Sequence, residues 1–359
     1  MKKRIPGAIV LLIILYLALF PVPIEPVAWQ APIDGGFVAH FAANDRLARA
    51  RTFSIAPYTG PEDITSGVDG QLYATTHEGV ILRLDGRGGV DVFADVGGRP
   101  LGIELDSDGS LLVANAYKGI QRVSHEGNVS TVVDEVDGLA LVYADDLAIG
   151  LDGVIYFSEA STKFGAQMSG GTYEASLLDI NEHGGHGFVV AFDPRDASTR
   201  VLLDGLNFAN GVAISDDQSF LLIAETGAYR ILKHWLTGPR AGETEVILDN
   251  LPAFPDNINT GNDGRFWIGF VSPRSAALDA LSDKPLLRKV VQRLPAFMRP
   301  QAQPHSQVIA INGDGEVLLN LQDAQARFPA LTGVFETPSA LYFTALFGGQ
   351  IAYIDKSRL

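Results

Sequence analysis

Asp69-Gly70-Gln71-Leu72-Tyr73 sets the architecture, because the phrase returns along the chain. A DG pair that turns the backbone and runs into an apolar strand is a strong short-range hairpin signal. It recurs as Asp108-Gly109-Ser110-Leu111-Leu112, Asp152-Gly153-Val154-Ile155-Tyr156, Asp217-Gln218-Ser219-Phe220-Leu221 and Asp263-Gly264-Arg265-Phe266-Trp267, with a degenerate copy at Pro338-Ser339-Ala340-Leu341-Tyr342. A second strand follows each copy, as in Gly79-Val80-Ile81-Leu82-Arg83-Leu84, Gly119-Ile120-Gln121-Arg122-Val123 and Gly349-Gln350-Ile351-Ala352-Tyr353-Ile354. Periods of about 40 to 50 residues with several strands each mean propeller blades. The expected fold is therefore an all-β, six-bladed β-propeller. The last copy has no room for a fourth strand before Leu359. Either Gly36-Phe37-Val38-Ala39-His40-Phe41 or Arg51-Thr52-Phe53-Ser54-Ile55 is expected to supply it and remove the open sheet edge.

A register runs inside the repeat. Seven positions before the turn residue of four copies stands an oxygen-bearing side chain: Glu62, Asp145, Asn210 and Asp256. Two residues after each comes an aliphatic, Ile64, Leu147, Val212 or Ile258, as an innermost strand packed between blades requires. Equivalent blade positions share one height on the axis, so these oxygens converge on the central channel. Asn257, beside Asp256, is a natural fifth donor. Carboxylate and amide oxygens around an axis suit calcium, which takes about six to eight oxygen ligands in irregular geometry, better than magnesium. The plainer reading is that Asp and Asn serve turns and strand starts. Asp63 follows Glu62 and Asp146 follows Asp145, and because successive strand residues point opposite ways, a second, deeper cation is one reading of these acids, with solvent-exposed strand-start acids as the alternative.

Composition narrows the function. A formal net charge of -15 argues against nucleic acid as a partner and suits cation binding. The absence of cysteine removes thiolate metal sites, disulfides and a cysteine nucleophile. No Gly-x-Ser-x-Gly elbow, His-Glu-x-x-His helix or phosphate loop is present.

Residues 1–30 read as a cytoplasmic tip and membrane anchor. Lys2, Lys3 and Arg4 precede an apolar run from Ile5 to Ile24, about the length that crosses a bilayer. A cleaved signal peptide is the competing reading, since Ala8 to Phe20 is also h-region length, but Trp29 stands where a cut after Ala31 would want a small residue. With the basic tip held inside, residues 31–359 would form a propeller on the extracytoplasmic side of a type II membrane protein.

Gly98-Arg99-Pro100-Leu101-Gly102-Ile103, Ala116-Tyr117-Lys118-Gly119, Phe208-Ala209-Asn210-Gly211-Val212 and Phe254-Pro255-Asp256-Asn257-Ile258 carry a resemblance to the strictosidine synthase-like family, from about Gly60 to the C-terminus. The wider group includes paraoxonases, gluconolactonases and diisopropylfluorophosphatase, six-bladed and mostly calcium-dependent. The resemblance implies a catalytic calcium on Glu62, Asp145, Asn210, Asp256 and Asn257, and a structural calcium on Asp63, Asp146 and the Ile103 carbonyl. Two departures stand out: the family usually has Asn where this chain has Asp145, and Leu101 stands where paraoxonases carry a histidine. Strictosidine synthase uses a glutamate near the fifth inner strand, whereas Val271-Ser272-Pro273-Arg274 here has no carboxylate, so Pictet–Spengler condensation is not expected.

A cation in an apolar channel polarises a carbonyl, so the expected activity is calcium-dependent hydrolysis of a small apolar ester or lactone. Asp256 is the candidate attacking or proton-accepting group, with a ligand-only role as its alternative. A non-catalytic, membrane-held binding propeller is the competing function. His183-Gly184-Gly185-His186-Gly187 reads as a glycine-rich loop, with a metal or acid-base role as the alternative, and Asn128-Val129-Ser130 fits a glycosylation sequon. The insertion at about 274–304 holds a helical pattern, Asp283 to Met298, with Leu286, Leu287, Val290, Val291, Leu294, Phe297 and Met298 on one face. Lys284, Arg288, Lys289, Arg293 and Arg299 make it basic, which suggests docking on anionic lipid; packing on the propeller is the alternative.

Overall fold

The computed structural model describes residues 5–85 and 88–359, so the basic tip Lys2-Lys3-Arg4 lies outside the described residues. Six four-stranded antiparallel sheets form the body. Their inner strands are Ile64–Ser66, Pro100–Leu105, Ala144–Ile149, Ala209–Ile214, Ala253–Thr260 and Leu331–Glu336, which number blades 1 to 6. Each inner strand touches those of both neighbouring blades, the first and last included, so the ring is closed.

Arg51–Ser54 supplies the outer strand of blade 6, pairing Arg51 with Tyr353 and Ser54 with Gln350. This is the second of the two expected closing segments. The first contributes only the 3-10 turn Ala39–Phe41. Apolar clusters fill every gap between sheets, such as Ile64, Leu82 and Ile351 between blades 1 and 6, or Leu222, Ile258 and Ile309 between blades 4 and 5. Burying both faces of each sheet in this way is what holds the ring together.

The antiparallel meander fixes which loops share an end. Inner strands leave the acid-rich end of the channel, turn at the DG pairs on the far end, and return. Loops between second and third strands therefore lie beside the acids, and both insertions are such loops. Blade 3 carries α2, Thr172–Glu182, a helix that the sequence reading did not find; blade 5 carries α3, Ala276–Ala280, and α4, Pro285–Gln292.

The helix expected over Asp283 to Met298 is shorter. Pro285 takes the first turn, Arg293 caps the end, and Pro295 hands over to a 3-10 turn, Ala296–Met298. Its sides are reversed in part, with Val290, Val291 and Leu294 half-buried. Arg288, only 2% exposed, donates to the carbonyls of Asn181 and Val27, and Arg293 donates to those of Leu17 and Phe20. Leu286, Leu287, Phe297 and Met298 face outward instead. The arginines turn inward because buried backbone carbonyls need donors. Charge reversal at Arg288 and Arg293 would break packed structure rather than strip a surface charge.

The N-terminal apolar run forms a helix, α1, Ile5–Leu19, whose side chains from Ile9 to Leu15 are exposed. Over its described residues, at roughly 1.5 Å per residue, it is shorter than a bilayer core of about 30 Å. Among the described residues no helix is long and apolar enough to cross a membrane. Residues 20–33 then cross the acid-rich end as a strap, and residues 39–49 pack on the outer strand of blade 5, Val317–Gln322. Val27 N–H donates to the Glu182 carbonyl, Trp29 N–H to that of Ser282, and the Trp29 ring stacks on His183 at 3.9 Å. The segment 20–30, grouped with the anchor on sequence grounds, is packed onto the propeller: Ile24 is fully buried.

Candidate functional site

The ladder between inner and second strands breaks at an equivalent place in blades 2 to 6, between Pro100 and Ile103, Ala144 and Leu147, Ala209 and Val212, Pro255 and Ile258, and Leu331 and Val334, with a further shift between Ala253 and Pro255 in blade 5. A bulge of this kind re-aims the two residues it contains. Blade 1 reaches the same point just before its ladder starts at Ile64, with Glu62 and Asp63. The paired positions are thus Glu62-Asp63, Leu101-Gly102, Asp145-Asp146, Asn210-Gly211, Asp256-Asn257 and Thr332-Gly333. Strict strand alternation would have sent neighbours apart; the bulges bring both members to the channel.

The even blades carry glycine at the second position, and space is the reason. A Cβ on Gly102 would collide with the Asp146 carboxylate. One on Gly211 would stand 2.6 Å from the Asp256 carbonyl oxygen, and one on Gly333 2.7 Å from Asn259 Oδ1. Glycines in blades 2, 4 and 6 make room for the polar pairs of blades 1, 3 and 5.

Glu62, Asp145, Asn210, Asp256 and Asn257 are all buried around the axis. Asn210 Nδ2 donates to Asp256 Oδ1 at 2.6 Å, and Asn257 Nδ2 donates to the Glu62 carbonyl at 3.2 Å, which Thr332 Oγ1 also reaches at 2.6 Å. Three oxygens are left without a partner: Asn210 Oδ1, Asp256 Oδ2 and Asn257 Oδ1. Buried acceptors of this kind are costly unless something satisfies them. Burial, and after it the repulsion of Glu62 and Asp145, pushes the Asp256 carboxyl well above the usual carboxylate range; burial then Glu62 does the same to Asp145. Orphaned oxygens among crowded acids are the donor set a divalent cation fits.

Arg99 is the residue that sequence reading missed. Fully buried, it donates from Nη2 to Glu62 Oε2 at 2.9 Å and from Nη1 to the Gly60 carbonyl at 3.0 Å. It sits two residues before the blade 2 bulge, in a phrase singled out only for its resemblance. Among the described residues no group of three or more acidic or histidine side chains forms a ready-made metal cluster. Two of the five candidate donors are amides, and Arg99 holds Glu62.

The deeper pair behaves differently. Asp63 accepts from Ile103 N–H at 3.1 Å and Asn259 Nδ2 at 3.0 Å; Asp146 accepts from Val212 N–H at 2.9 Å and Leu147 N–H at 2.8 Å. Ile103 meets Asp63 through its N–H rather than its carbonyl. Burial raises the Asp63 carboxyl to about 7. These oxygens already have partners, so nothing in the contacts calls for a second cation.

Above the candidate donors lies an apolar roof of Ile24, Leu101, Ala116, Tyr143, Ala175 and Phe208. The His183–Gly187 stretch is structured: His183 caps α2 in a left-handed conformation, and His186 Nε2 lies 2.6 Å from Glu182 Oε1, which also takes Lys163 at 2.7 Å. Burial lowers the His183 imidazole to about 3, so it stays neutral.

Comparison with known proteins places the chain in a family. Residues 145–239 match the family described as strictosidine synthase, and residues 39–84 the strictosidine synthase-like N-terminal family. Protein STRICTOSIDINE SYNTHASE-LIKE 13 of Arabidopsis thaliana is 35% identical over 64% of this chain and 57% of its own. STRICTOSIDINE SYNTHASE-LIKE 6 is 31% identical over 87% and 83%, and the adipocyte plasma membrane-associated protein of Bos taurus 29% over 86% and 78%. Among solved structures, a gluconolactonase from Xanthomonas campestris is similar at TM-score 0.63 and 18% identity, covering 94% of this chain and 99% of that one. Regucalcin, a calcium-binding protein of Agrobacterium tumefaciens, is similar at 0.58 and 13%, covering 85% and 92%. Those two likenesses show the six-bladed fold, and the sequence relatives show that the chain belongs to the strictosidine synthase-like family.

Proposed function

We propose that the protein is a calcium-dependent hydrolase of apolar esters or lactones. The observation that carries this reading is the trio of buried, unpartnered oxygens, Asn210 Oδ1, Asp256 Oδ2 and Asn257 Oδ1, beneath an apolar roof. Glu62, Asp145, Asn210, Asp256 and Asn257 would hold the ion. Bound there, calcium would polarise a carbonyl and stabilise the negative charge that forms on its oxygen. The charge count supports one dication, since three carboxylates and the Arg99 guanidinium leave two negative charges.

The chain's own residues do the rest. Leu101, Tyr143, Phe208 and Ile24 shed water and receive an apolar acyl or alkyl group. Asp256, whose carboxylate is made a stronger base by burial, takes the proton of the attacking water or attacks the carbonyl itself. That a gluconolactonase and a calcium-binding protein share the fold lends support.

A binding propeller without chemistry is the second reading, favoured by Leu101 and by Ile24 closing the roof. Aryl-ester and lactone hydrolysis, with calcium and with chelator, separates the two. Turnover that chelator removes and Asp256→Asn abolishes supports the hydrolase. Calcium binding with no turnover on any substrate supports the second.

A further inference from the structure

We infer that the outer side of the blade 5 insertion is a lipid-contacting surface, which seats the acid-rich end of the propeller on a bilayer by apolar contact. Leu286 is 78% and Phe297 82% exposed, with Leu287 and Met298 beside them in sequence and also exposed. Large apolar side chains gathered on one short insertion mark an interaction site.

Continuity with α1 identifies the occupant. Arg293 of the insertion donates from Nε to the Phe20 carbonyl at 2.5 Å and from Nη1 to the Leu17 carbonyl at 2.9 Å, and its own carbonyl accepts from Tyr16 Oη at 3.1 Å. The last turn of α1, an apolar helix with exposed side chains, is therefore fastened to the same insertion that carries the exposed leucines and phenylalanine. A surface that exposes apolar groups both on a helix and on the loop that clamps it is complementary to hydrocarbon. A second copy of the chain would have to cover α1 as well.

The inward turn of the arginines fixes the character of the contact. Arg288 and Arg293 direct their charge to the carbonyls of Asn181 and Val27 and of Leu17 and Phe20, and the chain as a whole carries -15. With these two arginines turned inward and the chain as a whole acidic, apolar contact carries the docking, and seating on neutral phosphatidylcholine should survive high salt. The channel mouth, at the same end and roofed by Ile24, then opens beside lipid. This inference stands without the hydrolase reading.

The chain has no cysteine, so single labels can be placed in the full-length protein. Leu286→Cys, Phe297→Cys and Leu151→Cys would each carry an environment-sensitive dye in phosphatidylcholine vesicles; Leu151, 86% exposed, adjoins a far-end DG turn and serves as control. Dyes at 286 and 297 should lose most of their emission to nitroxide-bearing lipid and little to iodide, with the reverse at 151. Iodide quenching at 286 and 297 equal to that at 151 would overturn the inference. Protection from both quenchers would mean that protein covers the face, which overturns it too. Unchanged melting temperature in all three variants confirms that the labels, all on exposed side chains, leave the fold intact.

Discussion

Arg99 changes the electrostatics of the channel more than any other single residue. It neutralises Glu62 and so lets Asp145 be an acid without leaving the site with surplus negative charge. Removing a buried partner exposes the other charge, so Arg99→Met should destabilise the calcium-free protein by about 3 kcal/mol or more, read by chemical denaturation. The same change should tighten calcium binding by about tenfold, or ~1.4 kcal/mol, because three negative charges then face the ion. Asp145→Asn should loosen binding by a similar factor, and the double variant should return close to the parent; calorimetric titration of all four proteins checks this. A double variant that binds as tightly as Arg99→Met alone would show that the two charges do not compensate. Gly211 acts through volume. An added Cβ meets the blade 5 backbone 2.6 Å from the Asp256 carbonyl oxygen, so Gly211→Ala should cost about 1–3 kcal/mol or more and displace the neighbouring donors, seen as lower thermal stability together with weaker calcium binding.

The strap and the insertions show where sequence stops being legible. The blades were readable because every DG turn and apolar alternation repeats, and the register of Glu62, Asp145, Asn210 and Asp256 was readable because it rides on that repeat. The bulges were not, since a one-residue shift in pairing leaves no propensity signal; only the Gly102, Gly211 and Gly333 alternation hinted at it. Helix α2 mixes polar and apolar residues around its circumference, so no periodicity marked it. In α4 the apolar stripe was real, but which side faces in was settled by carbonyls of residues 17 to 27, far away in the chain. Ile24 belongs to the same strap. Its truncation to Ala should cost about 2–5 kcal/mol of stability, because a fully buried side chain is replaced by a cavity. It should also raise kcat/KM for bulky esters relative to small ones, by opening the roof; an unchanged ratio would remove Ile24 from the substrate path.

At the scale of the whole molecule, six sheets share one axis, and each apolar gap between them depends on its neighbours, so closure by Arg51–Ser54 matters to every blade. Buried acids of the ring and of its blade 3 insertion couple the fold to pH. Burial raises Asp179 to about 7 and Glu159 to about 8, against unfolded values of about 3.9 and 4.3. The folded state therefore binds more protons. Their stabilising contribution is complete below about pH 4 and is lost as pH rises through 7 to 8. The calcium-free protein should melt at a higher temperature at pH 5.5 than at pH 8.5, and Glu159→Gln should flatten that slope; a slope of opposite sign would contradict the assignment. The central claim is that oxygens from blades 1, 3, 4 and 5 together form one cation site. Its most direct test is calorimetric titration of calcium into the chelator-treated full chain, beside Asn257→Leu, which removes an unpartnered amide oxygen without altering charge. The account predicts saturable binding in the parent and the loss of one site in the variant. Equal binding by both proteins, or no binding by the parent, would contradict it.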